Sequence, residues 1–133
     1  MSGIIGLISV SAATPGASEV QAKRAVTVSD SSTRATLFTP ASGRKVRIIS
    51  AHWINGGSTT TNAHLYFGTG ADPGADAAKI IFEASVDLDT SPSEGESWPD
   101  GGGPIGAADE VVSIATGTNI GGDGIVTIVF REE

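Results

Sequence analysis

The sequence predicts an all-β protein, an antiparallel β-sandwich with an N-terminal arm. Short runs rich in Val, Ile, Thr and Phe are separated by turn residues at the roughly 8–12-residue spacing of sandwich strands. Eighteen glycines accompany many Thr, Ser and Val residues, and the Leu/Glu/Lys/Gln mixture of amphipathic helices is nearly missing. Residues 40–54 open in a Pro/Gly turn and continue as the longest β-favouring run, which alternates as a half-buried strand does. At 133 residues the chain is long enough to bury one core, and with no cysteine it has neither a disulfide nor a thiolate metal site to help it.

The chain opens with Gly3-Ile4-Ile5-Gly6-Leu7-Ile8-Ser9-Val10, apolar but too short to span a bilayer. No Lys or Arg precedes Lys23, so the basic n-region of a signal peptide is missing, and the mature chain is expected to begin at or near Met1. Thr14-Pro15-Gly16 reads as a hinge, which divides the chain into an arm and hinge over 1–25 and a sandwich over 26–133. The arm is either a first strand of its own sheet or a segment that docks on another polypeptide. Ile4, Ile5, Leu7, Ile8 and Val10 put aliphatic side chains on both faces of an extended segment, which favours burial between two molecules.

Residues 19–25 form a turn of helix or a lead into a small strand at Val26-Thr27-Val28. Residues 34–39 give a second strand, with Leu37 and Phe38 on opposite faces. In the 40–54 run the apolar set changes from Val46 and Ile48 to Ile49, Ala51 and Trp53, which predicts a bulge near Ser50. Asn55-Gly56-Gly57 ends that strand in a turn. Residues 59–68 follow, with Leu65 and Phe67 on one face and His64 and Tyr66 on the other, then a Pro73-Gly74 loop.

In residues 79–88, Ile80, Phe82, Ala84 and Val86 alternate with Ile81, Glu83, Ser85 and Asp87 and are expected inside. Residues 89–106, rich in proline and glycine and containing Trp98, read as a long loop without regular structure. Two further strands complete the set, residues 110–115 with Val112 and Ile114 inward and residues 125–131 with Val126, Ile128 and Phe130 inward. A glycine-rich turn, residues 117–124, joins them. Seven or eight short strands of this kind make a β-sandwich or jelly roll.

The formal charge of −7 opposes general nucleic-acid binding, which needs Lys and Arg against phosphates. Six of the eight basic residues, Lys23, Arg24, Arg34, Arg44, Lys45 and Arg47, lie at or before position 47, where only Glu19 and Asp30 are acidic. Such asymmetry either orients neighbouring copies head to tail or is mixed away by strand pairing.

Little in the sequence advertises chemistry. His52 and His64 would approach one another if residues 55–57 closed a hairpin, giving two of the ligands zinc requires but no third with a telling spacing. Asp87, Asp89, Glu94, Glu96 and Asp100 could collect calcium, yet the EF-hand spacing is missing and a solvated acidic loop fits better. The glycine-rich 117–124 turn has neither the Lys nor the following helix of a nucleotide loop. No nucleophilic cysteine or Gly-x-Ser-x-Gly elbow occurs, so no enzyme activity and no cofactor are expected. Trp53, Tyr66 and Trp98 could stack on a sugar, although so few aromatics are first candidates for core or subunit contact.

The strand edges as a series resemble the small jelly-roll proteins of tailed-bacteriophage virions, the head-decoration and accessory structural modules. The resemblance rests on Thr39-Pro40-Ala41-Ser42-Gly43-Arg44-Lys45-Val46-Arg47-Ile48-Ile49-Ser50, on Tyr66-Phe67-Gly68, and on Trp98-Pro99. It continues with Gly106-Ala107-Ala108-Asp109-Glu110-Val111-Val112-Ser113-Ile114 and Gly124-Ile125-Val126-Thr127-Ile128-Val129-Phe130-Arg131-Glu132. It implies a virion protein assembled in the host cytoplasm and held as a homotrimer on a capsid or other virion protein, without cofactor, nucleic acid or membrane. The partner contacts expected from the residues themselves are Ile4, Ile5, Leu7, Ile8 and Val10 of the arm, and Trp98. The alternative is a glycan- or host-surface-binding sandwich that uses the 89–106 loop.

Overall fold

A computed structural model describes residues 19–25, 34–56, 58, 61–70, 79–86, 93–116 and 123–133. The arm residues Ile4 to Val10, the predicted strand at 26–28, the Pro73-Gly74 loop and most of the 117–124 turn lie outside them. The strands are β1 (Gln21–Ala25), β2 (Ala35–Phe38), β3 (Val46–Gly56), β4 (Thr61–Phe67), β5 (Ile80–Val86), β6 (Ser93–Ser97), β7 (Val112–Thr116) and β8 (Asp123–Glu132). Among the described residues there is no α-helix.

Among the described residues two four-stranded antiparallel sheets are formed, ordered β1-β8-β3-β6 and β2-β7-β4-β5. The first strand pairs with the last, the second with the seventh, the third with the sixth and the fourth with the fifth. The chain is thus a long double ribbon folded back on itself and rolled, so that consecutive strands alternate between sheets except β4 and β5, which pair within one, and this is the jelly-roll fold. The facing layers bury Val46, Ile48, Ala51 and Trp53 of β3 and Val126, Ile128 and Phe130 of β8 against Leu65 and Phe67 of β4, Phe82 of β5 and Val112 and Ile114 of β7.

The expected bulge in β3 is present. Ile48 stands opposite Phe130 and Ser50 opposite Val129, which leaves Ile49 as the extra residue and turns Ala51 and Trp53 inward. β5 carries a second bulge that the alternation did not reveal. Leu65 pairs with Phe82 and Tyr66 with Ile80, so Ile81 is inserted between them; Ile81 is buried and Ile80 only half-buried, which corrects the expected inward placement of Ile80.

Other expectations also change. Residues 21–25 are a strand rather than a turn of helix, so the sheet begins within the stretch assigned to the arm and hinge. Ser93–Ser97 forms β6 inside the supposed long loop. In β2, Leu37 is buried, but a register shift between Thr36 and Phe38 lets the Phe38 ring also reach the core, 4.3 Å from that of Phe130.

Candidate interaction surfaces

The metal and sugar candidates do not assemble. β3 and β4 belong to different sheets, so residues 55–57 lead across the sandwich instead of closing a hairpin. His52 stands between Thr127 and Gly95 in one sheet and His64 between Glu83 and Ala115 in the other. Among the described residues no group of three or more His, Asp or Glu is placed to hold a metal ion. Trp53 and Tyr66 are 1% and 2% exposed, so neither offers a face to a sugar. Trp98 is half-buried and packs against the core.

What the 98–110 segment does instead is close the flank of β3. β6 covers only residues 50–54 of that strand, and the following segment takes over the rest. Trp98 N donates to Ile49 O, Ile48 N to Pro104 O, Gly106 N to Val46 O and Asp109 N to Arg44 O, at 2.8–3.0 Å. Ile105 forms a bridge with Arg47. The segment therefore behaves as an irregular strand, which satisfies backbone groups that a free edge would leave open. The predicted Pro40-Ala41-Ser42-Gly43 turn lies at the same end. Gly43 has φ +77° and Arg44 N donates back to Ala41 O at 2.9 Å.

Charges secure this rim. Arg47 and Arg131 stand opposite one another in β3 and β8, a like-charged pair that each strand relieves separately. Arg47 binds Glu133 and donates to Gly103 O at 3.1 Å. Arg131 grips Asp100 with two nitrogens, Nε at 2.9 Å and Nη2 at 2.7 Å. That hydrogen bond holds the Asp100 carboxyl below the usual carboxylate range. Glu110 is also lowered: burial pushes it up, but hydrogen bonds from Lys79, at 2.5 Å, and from the Ala107 N–H outweigh that effect.

On the outer face of the second sheet, fully buried Ser113 donates to Gly68 O at 2.7 Å and accepts from Arg34 at 3.2 Å, while Tyr66 donates to Gly70 O at 2.7 Å. These contacts tie the strand-end turn to the sheet. They join residues up to 79 positions apart, and no local pattern could have announced them.

The charge asymmetry of the sequence is mixed in one part of the first sheet and kept in another. At the centre of the first sheet the halves mix, as Arg47 and Glu133 show. At the edges they separate. β1 carries Lys23 and Arg24, whereas β6, every residue of it exposed, carries Glu94 and Glu96.

No protein-family model matches the sequence, and no curated protein matches it. Solved structures do resemble the fold. A chain of the acidic stable capsid structure of Helicobacter pylori bacteriophage KHP30 aligns with a TM-score of 0.56 at 13% identity, over 86% of this chain and 89% of that one. A chain of the cyanophage Pam1 capsid asymmetric unit aligns with a TM-score of 0.50 at 15% identity, over 90% of this chain and 86% of that one.

Proposed function

We propose that the protein is a non-enzymatic structural component of a virion, a decoration or cement protein that binds a bacteriophage head and stabilises it by bridging capsid subunits. The observation that carries this reading is the rolled eight-stranded order, matched over nearly the full length of a chain in a phage capsid structure. The polar side chains of the described residues fit the same reading, since their ion pairs and turn contacts fix the rim segments in place. In this role the protein is a homotrimer on the capsid surface, assembled in the host cytoplasm, with no cofactor and no contact with nucleic acid or membrane. The stretch ahead of β1 supplies the arm, whose Ile4, Ile5, Leu7, Ile8 and Val10 dock on a neighbouring copy or on the capsid beneath.

The test is to incubate the purified chain with particles assembled without it and to image them in negative stain. Added density at regular positions on the head is expected. Unchanged particles, together with binding of the chain to glycans, would replace this reading with the host-surface one.

A further inference from the structure

We propose that copies of this chain join edge to edge, with β1 of one copy adding beside β6 of the next so that a β-sheet continues across the boundary. The inference rests on the virion-assembly reading and names the surface through which copies meet.

Among the described residues β1 and β6 are the two ends of one sheet, and each is five residues long. Every neighbouring pair in that sheet is antiparallel, so β1 and β6 run in opposite directions. A second copy in the same orientation therefore brings its β1 antiparallel to β6, with the same sheet face outward. No copy has to turn over, which suits a layer whose subunits all present one surface. The contact is heterologous, using two different edges, and it closes into a ring or propagates according to the rotation between copies.

The charges select this pairing. β1 contributes Lys23 and Arg24, and β6 contributes Glu94 and Glu96. Two β1 edges, or two β6 edges, would set like charges side by side, whereas β1 against β6 sets opposite charges side by side. Register adds a second match. Position 23 stands opposite Ile128, position 94 opposite Trp53 and position 96 opposite Ala51, and all three partners are buried between the sheets. Positions 23, 94 and 96 thus share one face, and a junction that preserves the faces sets position 23 opposite position 94 or 96.

β6 is also a good template. Its register with β3 runs unbroken from Ile54 to Ser50, it contains no proline, and all five of its residues are exposed. Such an edge accepts a further strand through main-chain hydrogen bonds. Charges placed only to guard against aggregation would serve equally well with one sign on both edges, and here the signs are opposite.

The test is sedimentation of the full-length chain and its charge-swapped variants. Glu94→Lys with Glu96→Lys, or Lys23→Glu with Arg24→Glu, should weaken self-association on the order of tenfold or more, and added salt should weaken the wild type. Combining all four changes reverses both edges and should restore association, with circular dichroism confirming the β fold. Should the fourfold variant fail to fold, an equimolar mixture of the two double variants should associate although neither does alone. Double variants that assemble like the wild type, or a folded fourfold variant and a mixture that both stay monomeric, would overturn the proposal. A wild-type chain that binds particles but never self-associates would overturn it while leaving the virion role intact; a chain that self-associates through these edges and ignores particles would do the reverse.

Discussion

Gly103 lies against the carbonyl of Ile48 so closely that a Cβ on residue 103 would sit 1.9 Å from that oxygen. The 98–110 segment can close the flank of β3 only because this position has no side chain. Gly103→Ala should push the segment off the strand and cost about 1–3 kcal/mol, as overpacking does. Urea unfolding measures the loss, and a change in Trp98 fluorescence at low denaturant would locate it.

The bulge in β5 makes a prediction that reverses the simple alternation. Ile81→Ala should cost about 2–5 kcal/mol, typical of a buried aliphatic truncation, and Ile80→Ala clearly less. Phe82→Ala belongs with the larger class at about 3–5 kcal/mol. Equal losses at 80 and 81 would place the bulge elsewhere.

Trp53 is enclosed, and its indole Nε1 finds no hydrogen-bond partner among the described residues. An unsatisfied buried donor costs about 1–3 kcal/mol, so removing it offsets part of the lost packing. Trp53→Phe should therefore be far milder than Trp53→Ala, for which about 3–5 kcal/mol is expected. Chemical denaturation of the two variants makes the comparison.

Acid should loosen the rim. Asp100 and Glu110 are both held below their ordinary values in the folded protein. Their contribution to stability is complete above the unfolded carboxylate range, about pH 4, and disappears as pH falls through the lower folded values. Thermal melts from neutral to acid pH should show this decline, and Glu110→Gln should lower stability near neutrality while flattening the acid limb.

Much of the fold was legible because buried strands announce themselves. The 40–54 run, with its change of phase at Ser50, became the eleven-residue β3 at the heart of one sheet. The terminal strand likewise kept Val126, Ile128 and Phe130 inside. What escaped were the edges. Ser93-Glu94-Gly95-Glu96-Ser97 has no apolar alternation because no residue in it is buried, and its partner comes from 43 or so positions away in β3. β1 escaped for a related reason, since its Lys23 and Arg24 look like loop residues until the pairing with β8 is known. The proposed histidine pair failed because a glycine turn does not state whether the chain stays in its sheet or crosses to the other one.

Deleting residues 2–12 tests the proposed arm. If those residues dock on another polypeptide, the truncated chain should keep a nearly unchanged melting temperature and lose assembly or particle binding. Covering two or three of the aliphatic side chains contributes roughly 3–6 kcal/mol before ordering costs, enough to make a weak contact lasting. A truncated chain that is unfolded as a monomer would assign the segment to its own core.

The virion role is tested most directly by density-gradient sedimentation of heads assembled with and without this protein. As a head-binding structural protein it should migrate with the particles in a fixed ratio, and purified chain added to heads lacking it should return to that ratio and saturate. A chain that remains at the top of the gradient in both cases would contradict the proposed function.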